Sequence, residues 1–174
     1  MSEADRQAVA PFAIFRARDA AKGGQSVARE PDGPVATQGY AALTDAGLLE
    51  GCVLRTLFST PVCSLVYVWF KSGFPLPRHS HDADCLYFIL AGSLRMGSEE
   101  LGPGDGFFVG KDVPYTYVPG ENGAEVLEFR ATNDYDIKLL AENPAWWAKA
   151  LQNLARHRDA WPRESAPPSG LDWS

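Results

Sequence analysis

The sequence predicts an all-β fold, an antiparallel sandwich or barrel with an N-terminal arm before it and a C-terminal α-helix after it. Three observations carry this expectation. Between residues 51 and 131, short runs rich in Val, Leu, Phe, Tyr and Trp alternate with turn-forming residues, the signature of many short strands. Apolar residues show no helical period across that region. Beyond residue 140 the spacing changes, and Trp147, Leu151 and Leu154 fall on one helical face.

Taken in order, residues 1–34 read as an extended arm able to pack across a neighbouring subunit. It joins a short amphipathic piece, Val9 to Phe15, to a polar Gly-containing stretch and then to the turn-rich Arg29 to Pro34, read as a loop. Residues 35–140 are assigned to the β-barrel and 141–174 to the C-terminal helix and tail. Strands are expected over 52–58 and 62–71, with Pro61 between them, and over 86–90, 94–96, 106–109, 115–118 and 126–131. Turns are expected at Ala91-Gly92-Ser93, Gly102 to Asp105, Lys111-Asp112 and Pro119 to Gly123. Asn143 is a helix N-cap with Pro144 at the first helical position. Trp146 and Trp147 are expected to anchor that helix, and the stretch from Pro162 to Gly170 reads as coil.

Composition narrows the partners. The 174 residues suffice for one domain with a core, and 45% hydrophobic against 22% charged residues is ordinary for a soluble protein. With 16 basic and 22 acidic residues the net charge is −6, which works against binding a phosphate backbone, so no nucleic-acid partner is expected. The longest apolar run, Leu65 to Phe70, is too short to span a bilayer, and no membrane association is expected. The first 20 residues lack the apolar stretch of a secretory signal. Three cysteines, Cys52, Cys63 and Cys85, are an odd number at irregular spacing, which argues against a disulfide framework and for a reducing, cytoplasmic setting.

The chemistry centres on residues 73–92. His79 and His81 are separated by one residue, so on an extended backbone both imidazoles project to one side and form half of a metal site. Gly73 precedes His79 by six residues and Gly92 follows Cys85 by seven. This framing resembles the first motif of the cupin superfamily, G-x5-H-x-H-x3/4-E-x6-G, with Cys85 where the family carries glutamate. The second family motif, G-x5-P-x-G-x2-H-x3-N, is degenerate here. Gly104 matches, Gly110 and Asp112 stand for the proline and glycine, Tyr115 for the histidine and Pro119 for the asparagine.

The resemblance implies a jelly-roll β-barrel that binds a divalent transition metal, Fe, Cu or Zn, and acts on a small organic molecule inside it. Two of the family's four ligands are present, His79 and His81, and Cys85 is the candidate third. Cys85 is open to three roles: inert buried thiol, metal ligand, or redox or nucleophilic thiol. Tyr115 is open to ligation, to hydrogen bonding a bound group, or to packing. Asp82 and Asp84 are spare carboxylates able to restore the ligand count. Tyr67, Trp69, Tyr87, Phe107, Tyr115, Tyr117 and Phe129 are expected to wall the interior. Glu125 and Glu128 fall on opposite faces of one strand, and Glu128, if inward, is a candidate acid or base. The expected activity is a metal-dependent cupin enzyme, with dioxygenase chemistry favoured over lyase or isomerase chemistry. The alternative is a non-catalytic sensor or carrier, and the family's habit implies a homodimer.

Overall fold

The architecture grows from the hairpin around Pro61. In the computed structural model, which describes residues 12–23, 27–28 and 33–171, β3 (Cys52–Thr60) and β4 (Cys63–Phe70) pair in antiparallel fashion across it. β1 (Ala21–Lys22) joins the free edge of β3. On the other side β4 pairs with β9 (Val118–Arg130), and β9 with β6 (Cys85–Met96). β7 (Glu99–Leu101) and β8 (Gly106–Val109) both pair with β6 and complete a seven-stranded sheet. A smaller sheet holds β2 (Val27–Ala28), β10 (Asp136–Leu139) and β5 (His79–Ser80), with β10 in the middle. Arg29 to Asp32, expected as a loop, and Val9 to Pro11 lie outside the described residues.

Burial follows the side-chain alternation of strands. Val66, Val68 and Phe70 of β4 point inward with Val126 of β9 and Ile89 of β6, forming the core. The alternate residues of β4, Tyr67 and Trp69, point the other way and are nevertheless buried, because the chain after residue 160 covers that outer face. Trp161 there is fully buried; its Nε1–H donates to Ser72 O at 2.9 Å, and its carbonyl accepts from Lys71 Nζ at 2.8 Å. The segment expected as coil is thus a packed strap. Sheet β4 is covered on both faces, which explains its continuous apolar run.

Two turns expected from sequence are strand instead. β6 runs unbroken through Ala91-Gly92-Ser93 by register shifts between Ile89 and Ala91 and between Gly92 and Leu94. Such bulges bend a strand without ending it. Gly92 is required there: its φ is +71°, and a Cβ would stand 2.3 Å from Gly123 O. β9 likewise runs through Pro119 to Gly123, so that stretch is ladder, and Tyr115 makes only an isolated bridge to His79.

Two helices stand beside the sheets. α2 (Pro144–His157) matches expectation, with Asn143 Oδ1 accepting from Ala145 N at 2.9 Å. Trp147 anchors it, donating to Ala141 O at 2.7 Å. α1 (Pro34–Asp45) was not anticipated, although Ala36, Gly39 and Leu43 are buried at helical spacing. Its mean amphipathicity is faint because the contact face is small. Gly39 lies so close to the Trp147 indole that a Cβ would meet it at 2.1 Å.

Candidate functional site

The site is assembled where the small sheet meets the inner face of the large one. β5 pairs with β10, placing His79 opposite Leu139, and His79 also exchanges backbone hydrogen bonds with Tyr115 at 2.9 and 3.0 Å. Both imidazoles are then tethered through Nδ1. His79 donates to Pro77 O at 2.8 Å and His81 donates to Asp136 O. A carbonyl only accepts, so Nδ1 carries the proton and Nε2 keeps its lone pair in each ring. The rings stand 5.2 Å apart, nearly perpendicular.

Burial holds both rings neutral. His79 and His81 are 4% and 8% exposed. Their pKa values fall to about 4, chiefly by desolvation, with the positive charge of Arg130 adding to the fall. The site therefore presents two unprotonated nitrogens at neutral pH.

Glu128 comes from β9. It sits between Val66 of β4 and Tyr87 of β6 in one cross-strand row, facing inward. Two residues on, and on the same face, Arg130 is fully buried. Its Nη1 lies 2.9 Å from Glu128 Oε2, although not along a hydrogen-bonding direction, and its Nε has no hydrogen-bond partner. Nη2 donates to the Tyr87 hydroxyl at 3.3 Å, and that hydroxyl is hydrogen-bonded to the hydroxyl of Tyr115. The Arg130 guanidinium also lies 4.1 Å from the Tyr135 ring centroid. Both Tyr87 and Tyr115 are held protonated, their pKa values raised first by burial and then by Glu128. The Tyr115 ring packs 4.3 Å from that of His79.

His79, His81, Glu128 and Tyr135 border a cavity of about 760 Å³, the size of a small-molecule site, with Arg130, Tyr87 and Tyr115 outside its lining. Val66, Val68, Phe70, Phe74 and Leu76 supply apolar wall, and His79, His81, Tyr117, Glu128 and Tyr135 supply polar groups. Cys52 also borders it, as a thiol that burial and Glu128 push up to about 12.

The residues proposed from sequence are not all brought together. Cys85 shares the inner face of β6 with Tyr87 but does not border the cavity. Burial, then Glu128, pushes its thiol up to about 12, so it is not a thiolate at neutral pH. Among the described residues, no three of His, Cys, Asp and Glu converge as a metal-holding group. Asp82 and Asp84 are engaged with backbone: Asp82 Oδ1 accepts from Asp136 N at 2.8 Å and Asp84 Oδ1 from Lys111 N at 2.7 Å. Of the expected aromatic wall, Tyr87, Phe107, Tyr115 and Tyr117 do cluster inside, with Tyr87 and Phe107 stacked at 4.5 Å. Tyr67, Trp69 and Phe129 do not, because β4 and β9 present Val66, Val68 and Glu128 inward and the odd neighbours outward. Arg130, Tyr135 and Tyr87's hydroxyl link were not singled out from sequence. Arg130 was findable, two residues from Glu128 and therefore on the same strand face.

The side chains that would hold a metal fit only in part. Two tethered imidazoles with free Nε2 atoms suit two coordination positions, as ligating histidines hold their second nitrogen in a hydrogen bond. The third donor expected, Cys85, stands apart from the cavity they border. The described residues do not by themselves complete the three-ligand set of an ordinary tight site.

No protein-family model matches the chain, and no curated protein matches it. Solved structures do. The polyketide cyclase RemF from Streptomyces resistomycificus is 18% identical over 82% of this chain and 98% of its own, with a TM-score of 0.51. An RmlC-like cupin from Shewanella frigidimarina is 21% identical over 48% of this chain and 78% of its own, at 0.43. KdgF from a Halomonas species is 22% identical over 47% and 81%, at 0.42. The paired sheets, the buried His79 on a short strand with His81 just beyond its end, and this structural likeness agree: the chain has the cupin jelly-roll fold.

Proposed function

We propose that this cupin is an enzyme that moves a proton on a small organic molecule held in the cavity, a reaction of the lyase or isomerase class. The observation that supports it is the convergence of three proton acceptors on one cavity: two neutral imidazole Nε2 atoms and the Glu128 carboxylate. Glu128, paired with Arg130, is the proposed base. Tyr115 buttresses His79 and, through Tyr87, connects to the same arginine. Deuterium uptake from D2O into aryl ketones and arylpyruvates, followed by proton NMR, tests it. Catalysed exchange is expected in the wild type and a loss of about 100-fold or more in Glu128→Gln. Binding of these compounds without exchange would support the sensor or carrier reading instead.

A second reading keeps the metal. The tethered histidines favour it, and a bound Fe, Cu or Zn ion would supply Lewis-acid or redox chemistry, including the dioxygenase chemistry implied by resemblance. Dialysis against each ion followed by elemental analysis tests this. One equivalent retained by the wild type and lost in His79→Ala supports it; none retained refutes it.

A homodimer is also proposed, on a different observation. Phe108, Leu86 and Phe129 lie in one register row on the outer face, 64%, 52% and 46% exposed. With Phe88 they present on the order of 400 Å² of apolar surface, the centre of a self-complementary contact. The free thiols Cys52, Cys63 and Cys85 are in keeping with the proposed cytoplasmic location. No helix of the described residues is long and apolar enough to cross a membrane.

A further inference from the structure

We propose that Tyr117 is a catalytic residue, its hydroxyl donating to the carbonyl oxygen of an enolisable ketone whose apolar body fills the cavity. The proposal rests on the reading that Glu128 is the base and adds the substrate's chemical class. Tyr117 directly precedes β9 and lies two residues beyond Tyr115, which the bridge to His79 fixes in place. Its ring is held edge-on by Phe70 and by Phe107, each 5.7 Å away between centroids, and the residue is 3% exposed. Yet its hydroxyl makes no hydrogen bond among the described residues, whereas those of Tyr67, Tyr87 and Tyr115 are all engaged. The oxygen is not fully enclosed, and Tyr117 borders the cavity, so the hydroxyl opens onto it. Phenylalanine would make the same ring contacts; the added oxygen is left for something the cavity holds.

The chemistry of the lining says what that is. The Nε2 atoms of His79 and His81 and the Glu128 carboxylate all accept hydrogen bonds. Tyr117 adds a donor to the same lining, because burial, then the charge of Glu128, holds its phenol protonated. A base and a hydrogen-bond donor in one largely apolar cavity are what removal of a proton beside a carbonyl needs. Glu128 takes the proton from the carbon next to the carbonyl. The C–H electron pair becomes the new C=C bond, and the carbonyl π pair moves onto oxygen. The enolate oxygen so formed accepts from Tyr117 more strongly than the ketone did. Glu128 then returns the proton, to the same carbon or to the far end of a conjugated enolate, so the step needs no oxidant or added reagent. Val66, Val68, Phe70 and Phe74 supply the surface for the hydrocarbon part.

The test follows deuterium uptake from D2O into 2-tetralone by the full chain, together with the infrared carbonyl stretch of the bound ketone. Tyr117→Phe is expected to lower kcat for exchange about 100-fold with little change in KM, the loss of one oxyanion donor. In Glu128→Gln, which holds the ketone without turning it over, the bound carbonyl should absorb at lower frequency than in a hydrocarbon solvent. Adding Tyr117→Phe should abolish that shift, which a merely structural role would not do. Tyr117→Phe should melt no lower than wild type, because the hydroxyl it removes has no protein partner. Exchange at the wild-type rate in Tyr117→Phe, or an infrared shift that survives the substitution, overturns the assignment and leaves Glu128 standing as the base. No exchange in the wild type overturns the base reading and, with it, the catalytic part given to Tyr117. Failure of the ketone to bind overturns both.

Discussion

Lowering the pH from 7 to 5 should destabilise the metal-free protein through two residues in particular. His79 and His81 titrate near 6.5 when unfolded and near 4 in the folded chain, because burial opposes their charge. Between those values the unfolded chain binds more protons than the folded one, so stability falls as pH falls. The loss begins below about 6.5 and is complete below about 4. Integrating over the window gives about 2 kcal/mol per histidine between pH 7 and 5, or about 4 kcal/mol for the pair. Urea unfolding at the two pH values measures it in wild type and in His79→Gln, His81→Gln and the double variant. Each single substitution should remove about half of the pH-dependent loss, whatever it does to stability at pH 7. If the double variant loses as much stability as the wild type over this interval, the histidines are not held neutral by the fold. The claim that both Nε2 atoms are free acceptors would fall with it.

Three further outcomes follow from the packing. Arg130→Met should cost about 3–5 kcal/mol because it leaves the Glu128 carboxylate without its cation, and adding Glu128→Leu should recover most of that in urea unfolding. Trp161→Ala should cost about 3–5 kcal/mol and loosen the strap, read as earlier hydrogen exchange of the Ser72 amide, since the lost indole N–H held Ser72 O and the Ser72 amide donates to Glu164 of the same strap at 3.1 Å. Leu86→Lys with Phe129→Lys should leave the melting temperature near wild type and convert a dimer to a monomer in light scattering, since both side chains are about half exposed; a monomeric wild type refutes the dimer.

Much of the fold was legible because its signals are local. The β3–β4 hairpin, β8 and the Asn143-Pro144 helix start are each written in a handful of consecutive residues. What misled were glycines that serve long-range contacts. Gly92 and Gly123 look like turn residues, yet they allow β6 and β9 to pass within touching distance, Gly92's missing Cβ facing Gly123 O at 2.3 Å. Helix α1 was missed for a related reason, since Gly39 at its centre weakens the helical signal while admitting the Trp147 ring. The histidines were found because their spacing and glycine frame are linear. Cys85 holds its motif position on the inner face of β6 beside Tyr87, yet it does not border the cavity that His79 and His81 border, a distinction that linear spacing does not carry.

β9 shows how two buried carboxylates on one strand differ in kind. Glu125 and Glu128 are three residues apart and on opposite faces. Glu125 is fully buried, and its oxygens accept from the Tyr67 hydroxyl at 2.8 Å and from the Ser169 amide and hydroxyl at 2.5 and 2.8 Å. The two Ser169 contacts tie the strap to the sheet, and Glu125 does not border the cavity. A carboxylate so enclosed is structural, and its hydrogen bonds explain why a tail of prolines and serines is held down. Glu128 borders the cavity, with an arginine beside it that still has an unpartnered Nε and two neutral imidazoles nearby. Burying such a pair costs solvation on both ions, a cost a stable fold avoids by placing apolar residues there. Much of the surrounding wall is apolar, so the pair is an exception to its own neighbourhood, the pattern expected of the base proposed above.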